Sequence, residues 1–210
     1  MEIQIETALL KAAMLATSKE ETRYYLKGVF FELRGLELRM VATDGHRLFI
    51  ACQKLVQPVG DNWSAILPFD GLKRALTGVP AKQEFVTLSP GRLQSTVNDV
   101  VMEPIDGTYP DYKRVVPETI SGETGQFNPI YIGEFGKIAK LVSGNRGLSS
   151  LPCHIQHNGN GPAIISFGRD DCFGVLMPMR PTENPGLNRV AVNLVTGRDV
   201  QHGIPEKELA

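Results

Sequence analysis

Cysteine is scarce, with three in 210 residues at Cys52, Cys153 and Cys172 and no C-x-x-C spacing. That excludes a disulfide scaffold, argues against a zinc site, and fits reduced thiols in a cytoplasmic protein. No window approaches the ~20 apolar residues of a transmembrane helix, so no membrane partner is expected. The start, Met1-Glu2-Ile3-Gln4-Ile5-Glu6, lacks the basic start and apolar run of a secretory signal. Neither sign of charge dominates: Lys+Arg is 22, Asp+Glu is 23 and the formal net charge is −1. A protein held to nucleic acid by global charge is excluded, whereas a local basic patch is not, because opposing patches cancel in the sum. Aromatics make up only 7%, beside 42% hydrophobic and 21% charged residues. Such a composition fits neither a disordered chain nor a coiled coil. The length suits one large domain or two small ones with a real core.

What is present is a repeated plan. Residues 1–6 read as a strand, and 7–17 (TALLKAAMLAT) as a helix rich in Ala, Leu and Met with one apolar stripe. Strands follow over 24–33, 36–42 and 47–54, with Gly35 and Asp44-Gly45 as turns. The plan restarts with a strand over 63–67 and a helix over 68–78, Pro at its start and Gly at its end. Strands over 84–88, 92–98 and 100–104 complete that round, and 106–117 reads as a crossover strand or linker. After the Gly/Ser/Thr-rich stretch 121–125, a third round places a strand over 127–131 and a helix over 132–142. It closes with strands over 154–157, 163–167 and 173–177. Three β-α-β-β-β units at this period predict an α+β repeat architecture whose units pair to complete a core. Beyond Arg180, residues 181–186 read as a linker, 190–195 as an edge strand and 203–210 as a frayed end.

Catalytic readings are poor. Asp44 and His46 flank a glycine without a nucleophile or third partner, so a turn is the preferred reading. Cys153, His154 and His157 lack a fourth ligand at usual spacing, and no metal is expected. Gly159-x-Gly161 and Gly168 precede no helix and no Gly-Lys-Ser/Thr, so no phosphate loop and no cofactor is expected.

Three stretches carry a resemblance. Residues 23–48, RYYLKGVFFELRGLELRMVATDGHRL, are similar to the middle domain of the bacterial DNA polymerase III beta sliding clamp family, with its R-Y-Y-L-x-G and V-A-T-D-G-H-R-L runs. Residues 107–117, GTYPDYKRVVP, resemble the segment that closes that domain, and 175–180, VLMPMR, resemble the family's C-terminal V-V-M-P-M-R-L. The resemblance implies a DNA-clamp fold. Residues 1–117 would form a complete clamp domain, 118–181 a half domain like the end of the family's third, and 182–210 an extension. It also implies a non-enzymatic processivity factor that encircles double-stranded DNA and tethers polymerase and other replication or repair proteins, with a clamp loader as a possible further partner. A family ring has twelve units, six per chain. This chain has three, so four copies would complete a ring, and a tetrameric homo-oligomer is the favoured assembly. A lone third unit would expose an apolar sheet edge and half a core, which argues against a stable monomer. The competing reading is a shortened homologue that binds clamp-interacting peptides without enclosing DNA.

By the same resemblance, a short apolar peptide would enter a pocket lined by Arg23, Leu26, Thr43, Gly45, His46, Arg47, Leu48, Pro117, Val175, Met177, Pro178 and Met179. Methionine suits a surface that accepts several peptides; on their own, Met177 and Met179 would read as core at a strand end. DNA would be held by charge on the helices, through Lys11, Lys73, Arg74, Lys137 and Lys140, with Tyr24 and Tyr25 for stacking on unpaired bases. The plainer readings are a solvated helix face and, for the tyrosines, one ring packed in a sheet.

Overall fold

The buried, alternating Ile3 and Ile5 form strand β1 (Ile3–Glu6), which runs directly into helix α1 (Thr7–Leu15). Leu9, Leu10, Ala12, Ala13 and Met14 are buried on α1, and the helix ends where Thr17 Oγ1 donates to Met14 O at 2.9 Å. A hairpin series follows: β2 (Gly28–Arg34), β3 (Glu37–Thr43) and β4 (Arg47–Lys54). The second repeat has β5 (Trp63–Pro68), α2 (Phe69–Leu76), β6 (Phe85–Ser89), β7 (Arg92–Gln94) and β8 (Asp99–Val101). The third has α3 (Pro129–Val142), β9 (His154–Gln156), β10 (Ala163–Ser166) and β11 (Cys172–Leu176). The structure, a computed structural model, describes residues 2–144 and 153–180. Residues up to Met179 form one compact unit. The linker over 181–186, the edge strand over 190–195 and the rest of the extension lie outside the described residues.

Two antiparallel sheets result, one ordered β1-β6-β7-β8 and the other β5-β2-β3-β4-β11-β10-β9. The first two repeats exchange their opening strands: β1 pairs with β6 (Ile5 opposite Val86), and β5 with β2 (Phe30 opposite Ile66). The third repeat joins by register, Val175 of β11 opposite Leu48 of β4. One apolar core therefore runs from Ile5, Leu9 and Phe31 through Phe49 to Phe135, Ile138, Ile165 and Leu176. The half core expected of a lone third unit does not arise, because β4 covers β11 and α3 shares the core of the first repeat, while β9 remains at the sheet edge. Gly174 makes the approach possible: a Cβ there would lie 2.3 Å from Phe135 Cε1.

Two arginines fasten α3 to α1. Arg47, at the head of β4, donates to the last-turn carbonyl of Leu15 at 2.7 Å and to the Glu134 carboxylate of α3. Arg169 donates to Glu6, the N-cap of α1, at 2.9 and 2.8 Å, and to Val142 O at the end of α3 at 3.0 Å. The start of α1 thus meets the end of α3, and the two helices run antiparallel.

Two elements differ in kind from the spacing-based expectation, and β7 and β8 stop at Gln94 and Val101, short of the predicted 98 and 104. Residues 24–26 form a 3-10 turn, so the strand predicted from 24 begins at Gly28. The strand predicted over 127–131 is absent, and α3 begins at Pro129 instead. Asn128 caps it, its side chain accepting from Ile130 N at 2.9 Å, and Pro fills the first helical position, where a missing N–H costs nothing. The third repeat, among the described residues, enters through its helix.

Arg169→Met should loosen the third repeat selectively. It removes charge-assisted hydrogen bonds at a half-exposed site, so a loss of about 2 kcal/mol is expected. Amide exchange should quicken in α3 and β9–β11 while β2 and β3 keep their protection; uniform exchange across the chain would refute the bracket.

Candidate functional site

The site starts from the β3–β4 turn. Asp44 Oδ1 accepts from His46 N at 2.9 Å and Arg47 N at 3.0 Å, an Asx-type turn that uses Asp44 structurally. Thr43 Oγ1 accepts from Gly45 N at 3.0 Å and donates to Arg47 O at 2.6 Å. Gly45 sits at φ 92°, and a Cβ there would lie 2.4 Å from Arg23 Nη1, so the guanidinium of Arg23 lies over the turn. Beside the turn, Met177 N donates to His46 O at 2.9 Å, which carries the β4–β11 seam past the end of the strands.

A cavity of about 200 Å³ opens on the outer face of that seam. Its apolar lining is Tyr25, Leu26, Leu48, Tyr112, Val115, Val175 and Met177, with Pro110 beside them. Arg23, Thr43, Gly45, Arg47 and Asp111 supply the polar part of the lining. The structure thus brings together Arg23, Leu26, Thr43, Gly45, Arg47, Leu48, Val175 and Met177 from the expected set. It leaves out four. His46 is exposed and turned toward α3, its ring 5.8 Å from that of Tyr131. Pro117 and Pro178 are half-buried away from the cavity, and Met179 is exposed, its N–H donated to Gln126 O at 2.7 Å. The expected list also lacks a wall: Tyr25, Pro110, Asp111, Tyr112 and Val115. The signal for that wall is β4 itself, apolar on both faces (Leu48 and Ile50 outward, Phe49 and Ala51 inward), so something must cover its outer side.

That cover is segment 105–116. Tyr109 stacks on Phe30 at 4.7 Å between centroids, and the Tyr112 hydroxyl donates to the buried Glu32 carboxylate at 2.8 Å. Arg34 and Arg39 lie 3.4 Å from the same carboxylate, and Lys113 at 4.0 Å. Burial opposes the charge on Glu32, but the Tyr112 hydrogen bond and the three cations outweigh it and hold the carboxyl below its ordinary range. Burial, and then the Glu32 carboxylate, push the Tyr112 hydroxyl up to about 12.

Arg47 forms the floor between this cavity and the helix side. Desolvation lowers its pKa, while Asp44 and Tyr131 oppose that shift; its guanidinium lies 5.2 Å from the Tyr131 ring centre. On the helix side lies a second cavity of about 650 Å³, lined among others by Leu15, Lys19, Tyr24, Lys27, Asp70, Glu134 and Lys137. The two tyrosines expected to act together therefore line different cavities: Tyr24, 53% exposed, the helix side and Tyr25 the seam. Lying in a 3-10 turn, they are not separated by strand alternation. Lys73, Arg74, Lys137 and Lys140 are exposed on α2 and α3, and Lys11 is half-buried on α1. Of the candidate metal ligands, His157 is already engaged, its Nδ1 accepting from Gly125 N at 3.3 Å. Among the described residues no three His, Cys, Asp or Glu side chains cluster as ligands, and no helix is long and apolar enough to cross a membrane.

The described residues thus form an apolar seam pocket, rimmed by charge, on a module built from β-α-β-β-β repeats. Known proteins give that module a family. The central domain of the DNA polymerase III beta subunit matches residues 4–111, and the chain belongs to that family. The beta sliding clamp of Escherichia coli K12 is 36% identical over 115 residues, 52% of this chain and 31% of that protein. That of Vibrio cholerae is 34% identical over 117 residues, 54% of this chain and 32% of its own. The matches thus span about a third of the length of these curated relatives. In three dimensions, the Thermotoga maritima DNA polymerase III beta subunit aligns with a TM-score of 0.65 at 20% identity, over 87% of this chain and 66% of that one. The Bacillus subtilis sliding clamp gives 0.66 at 19%, over 87% and 65%. The fold is the α+β clamp fold.

The Glu32–Tyr112 contact makes the pocket wall pH-dependent. Because the folded state lowers the pKa of Glu32, its contribution is complete above the ordinary carboxylate range and lost as pH falls through the lowered value. Glu32→Gln should therefore melt below the wild type by a constant margin from about pH 8 to about pH 5, and the margin should shrink below about pH 4. A margin that does not change with pH would refute the assignment.

Proposed function

We propose that this chain is a sliding-clamp-like processivity factor without catalytic activity. Residues 1–117 act as a clamp domain and 118–181 as a half domain docked on it. Copies of the chain, four in the favoured arrangement, enclose duplex DNA, and the seam pocket tethers polymerase or other replication and repair proteins through a short apolar peptide. The observation that carries this reading is the pocket. Leu48 and Val175 are paired across the β4–β11 seam, and Leu26, Met177, Tyr112 and Val115 surround them. Such a cavity takes one or two apolar side chains, and a methionine at its lip adapts to different ones. A sliding clamp of Pseudomonas aeruginosa, 22% identical, has been solved bound to griselimycin.

DNA would be held without reading sequence, by Lys and Arg against phosphates. Lys73 and Arg74 on α2, and Lys137 and Lys140 on α3, are exposed and free to make such contacts. With a net charge of −1 for the whole chain, this excess on the helices leaves the remaining surface relatively acidic, which disfavours DNA on the outside.

Two measurements test the two halves of the proposal. Leu48→Ala combined with Met177→Ala should weaken a fluorescent clamp-binding peptide by about tenfold to a hundredfold, as for truncated anchors in a hot-spot pocket. Equal polarisation curves for variant and wild type would move the site elsewhere. Replacing Lys73, Arg74, Lys137 and Lys140 together by Glu should abolish salt-sensitive retention on closed-circular DNA while leaving the mass in solution unchanged. Retention that survives the four changes refutes the helix assignment. Peptide binding by a wild-type chain that DNA does not retain would identify a peptide-binding homologue that never encloses DNA.

A further inference from the structure

Four strands lie at the edges of the two sheets: β1, β5, β8 and β9. Two are closed within the chain. The Gln53 side chain spans β1, accepting from Glu6 N at 3.1 Å and donating to Gln4 O at 2.6 Å. Ile105 N donates to Ile66 O at 2.8 Å along β5. At β8, Met102 N donates to Gly91 O at 2.7 Å and Asn98 O accepts from Ser95 N at 2.8 Å, so the even-numbered residues turn inward to β7. Strand alternation then turns the N–H and C=O groups of Asp99 and Val101 outward. Val101 is 74% exposed and Val97 53%.

The repeats show what such an edge receives. β4 and β8 are the closing strands of the first two repeats, and β11 closes the third. β4 and β11 pair with each other, antiparallel, over five residues. Among the described closing strands, β8 alone is left without a partner.

We propose that β8 pairs antiparallel with β8 of a second copy of this chain, in a two-fold contact centred on Val100. Charge selects the register. Centring on Asp99 sets the two Asp99 carboxylates opposite each other, and centring on Val101 sets Asp99 opposite Glu103; like charges directly opposed disfavour both. Centring on Val100 sets Asp99 opposite Val101 and Val97 opposite Glu103, with the outward N–H and C=O groups of residues 99 and 101 exchanged. Each Asp99 keeps its own partner, Arg92, whose Nε donates to it at 2.7 Å. Little helix packing backs this contact. α1 buries Ala12, whereas the matching position of α2, aligned through Leu10 with Leu72 and Lys11 with Lys73, is the exposed Arg74. The strand contact is therefore concentration-dependent, and closure of an assembly strengthens it through effective concentration. The inference deepens the ring reading and rests on it for its role, but not for its geometry.

Val101→Pro and Val100→Cys test it on the full chain. Among the described residues the Val101 N–H has no partner, so proline there should spare the fold while removing a ladder donor and filling the edge. In the wild type, mass measured by light scattering should rise with concentration, and Val101→Pro should halve the limiting mass. Val100 and its copy form a non-hydrogen-bonded pair with Cα atoms about 4.5 Å apart, within disulfide reach. Val100→Cys treated with diamide should therefore give a chain-to-chain disulfide dimer on a non-reducing gel. Because Cys153 is exposed, the test is made in a Cys153→Ser background, which should give no dimer without Val100→Cys, and adding Val101→Pro should reduce the product at least tenfold. No Val100→Cys dimer, or an unchanged mass for a folded Val101→Pro, overturns the proposal. A halved mass without the disulfide also overturns it, by showing β8 on a different edge. If Val101→Pro fails to fold, the Val100→Cys dimer alone decides. A dimer from protein that DNA does not retain would sink the ring reading and leave the contact standing.

Discussion

The structure depends on the clasp that two arginines place around the α1–α3 pair. Arg47 holds the end of α1 to the first turns of α3, and Arg169 holds the cap of α1 to the end of α3. Both use α-helix carbonyls that have no partner within their own helix, at Leu15 and Val142, so each arginine satisfies an orphan acceptor as well as a carboxylate. Such pairs contribute little where water competes and more where one partner is buried, as Arg47 is at 6% exposure. α3 needs the help. It carries Gly133 and Gly136 on its open side, each costing about 1 kcal/mol against alanine. Its stability comes from the Asn128-Pro129 entry, the buried Phe135, Ile138, Ala139 and Val142, and the clasp.

Arg47 also explains why the seam pocket lies where it does. Its backbone opens β4 and closes the Asp44 turn, while its side chain reaches through to α1 and α3. The same residue therefore sets the turn that carries Thr43 and Gly45 and fixes the repeat that carries Val175 and Met177. On the outer face, Glu32 plays the parallel part, drawing Tyr112 and Lys113 down so that segment 105–116 becomes the wall. The pocket is a by-product of covering a strand that is apolar on both sides.

Much of this was legible in the sequence where local chemistry decides. The Asp44-Gly45 hairpin and the bounds of β4 follow from turn residues and β-branched or aromatic runs, and α1 from its Ala, Leu and Met content. The failures have physical causes. Tyr24, Tyr25 and Leu26 carry strand-forming side chains, but tertiary contacts, including Ser18 N to Leu26 O at 2.9 Å, bend them into a 3-10 turn. Phe127 to Tyr131 looks like a strand by aromatic content; Asn128-Pro129 is the stronger signal, because it satisfies a helix start while a strand would lose a donor at proline. Pairing of β4 with β11 joins residues more than a hundred apart and has no local signature at all. The outer wall of the site stayed hidden for the same reason, since Tyr109 and Tyr112 gain meaning only against Phe30 and Glu32.

The seam links binding to folding. A peptide side chain that touches both Leu48 and Val175 can do so only while β11 is docked on β4, so it binds the docked state and not an opened one. Anything that binds one state alone stabilises it in proportion to ligand excess over its dissociation constant. The third repeat is held to the first by a short ladder, a shared core and two arginines, so its undocking breaks few strand contacts. An occupied pocket therefore tightens α3 from the far side of the sheet, and a loosened clasp weakens the pocket without touching a lining side chain. Arg47 lines both cavities, which makes it the residue through which the helix side and the seam side of this clamp fold would be coupled.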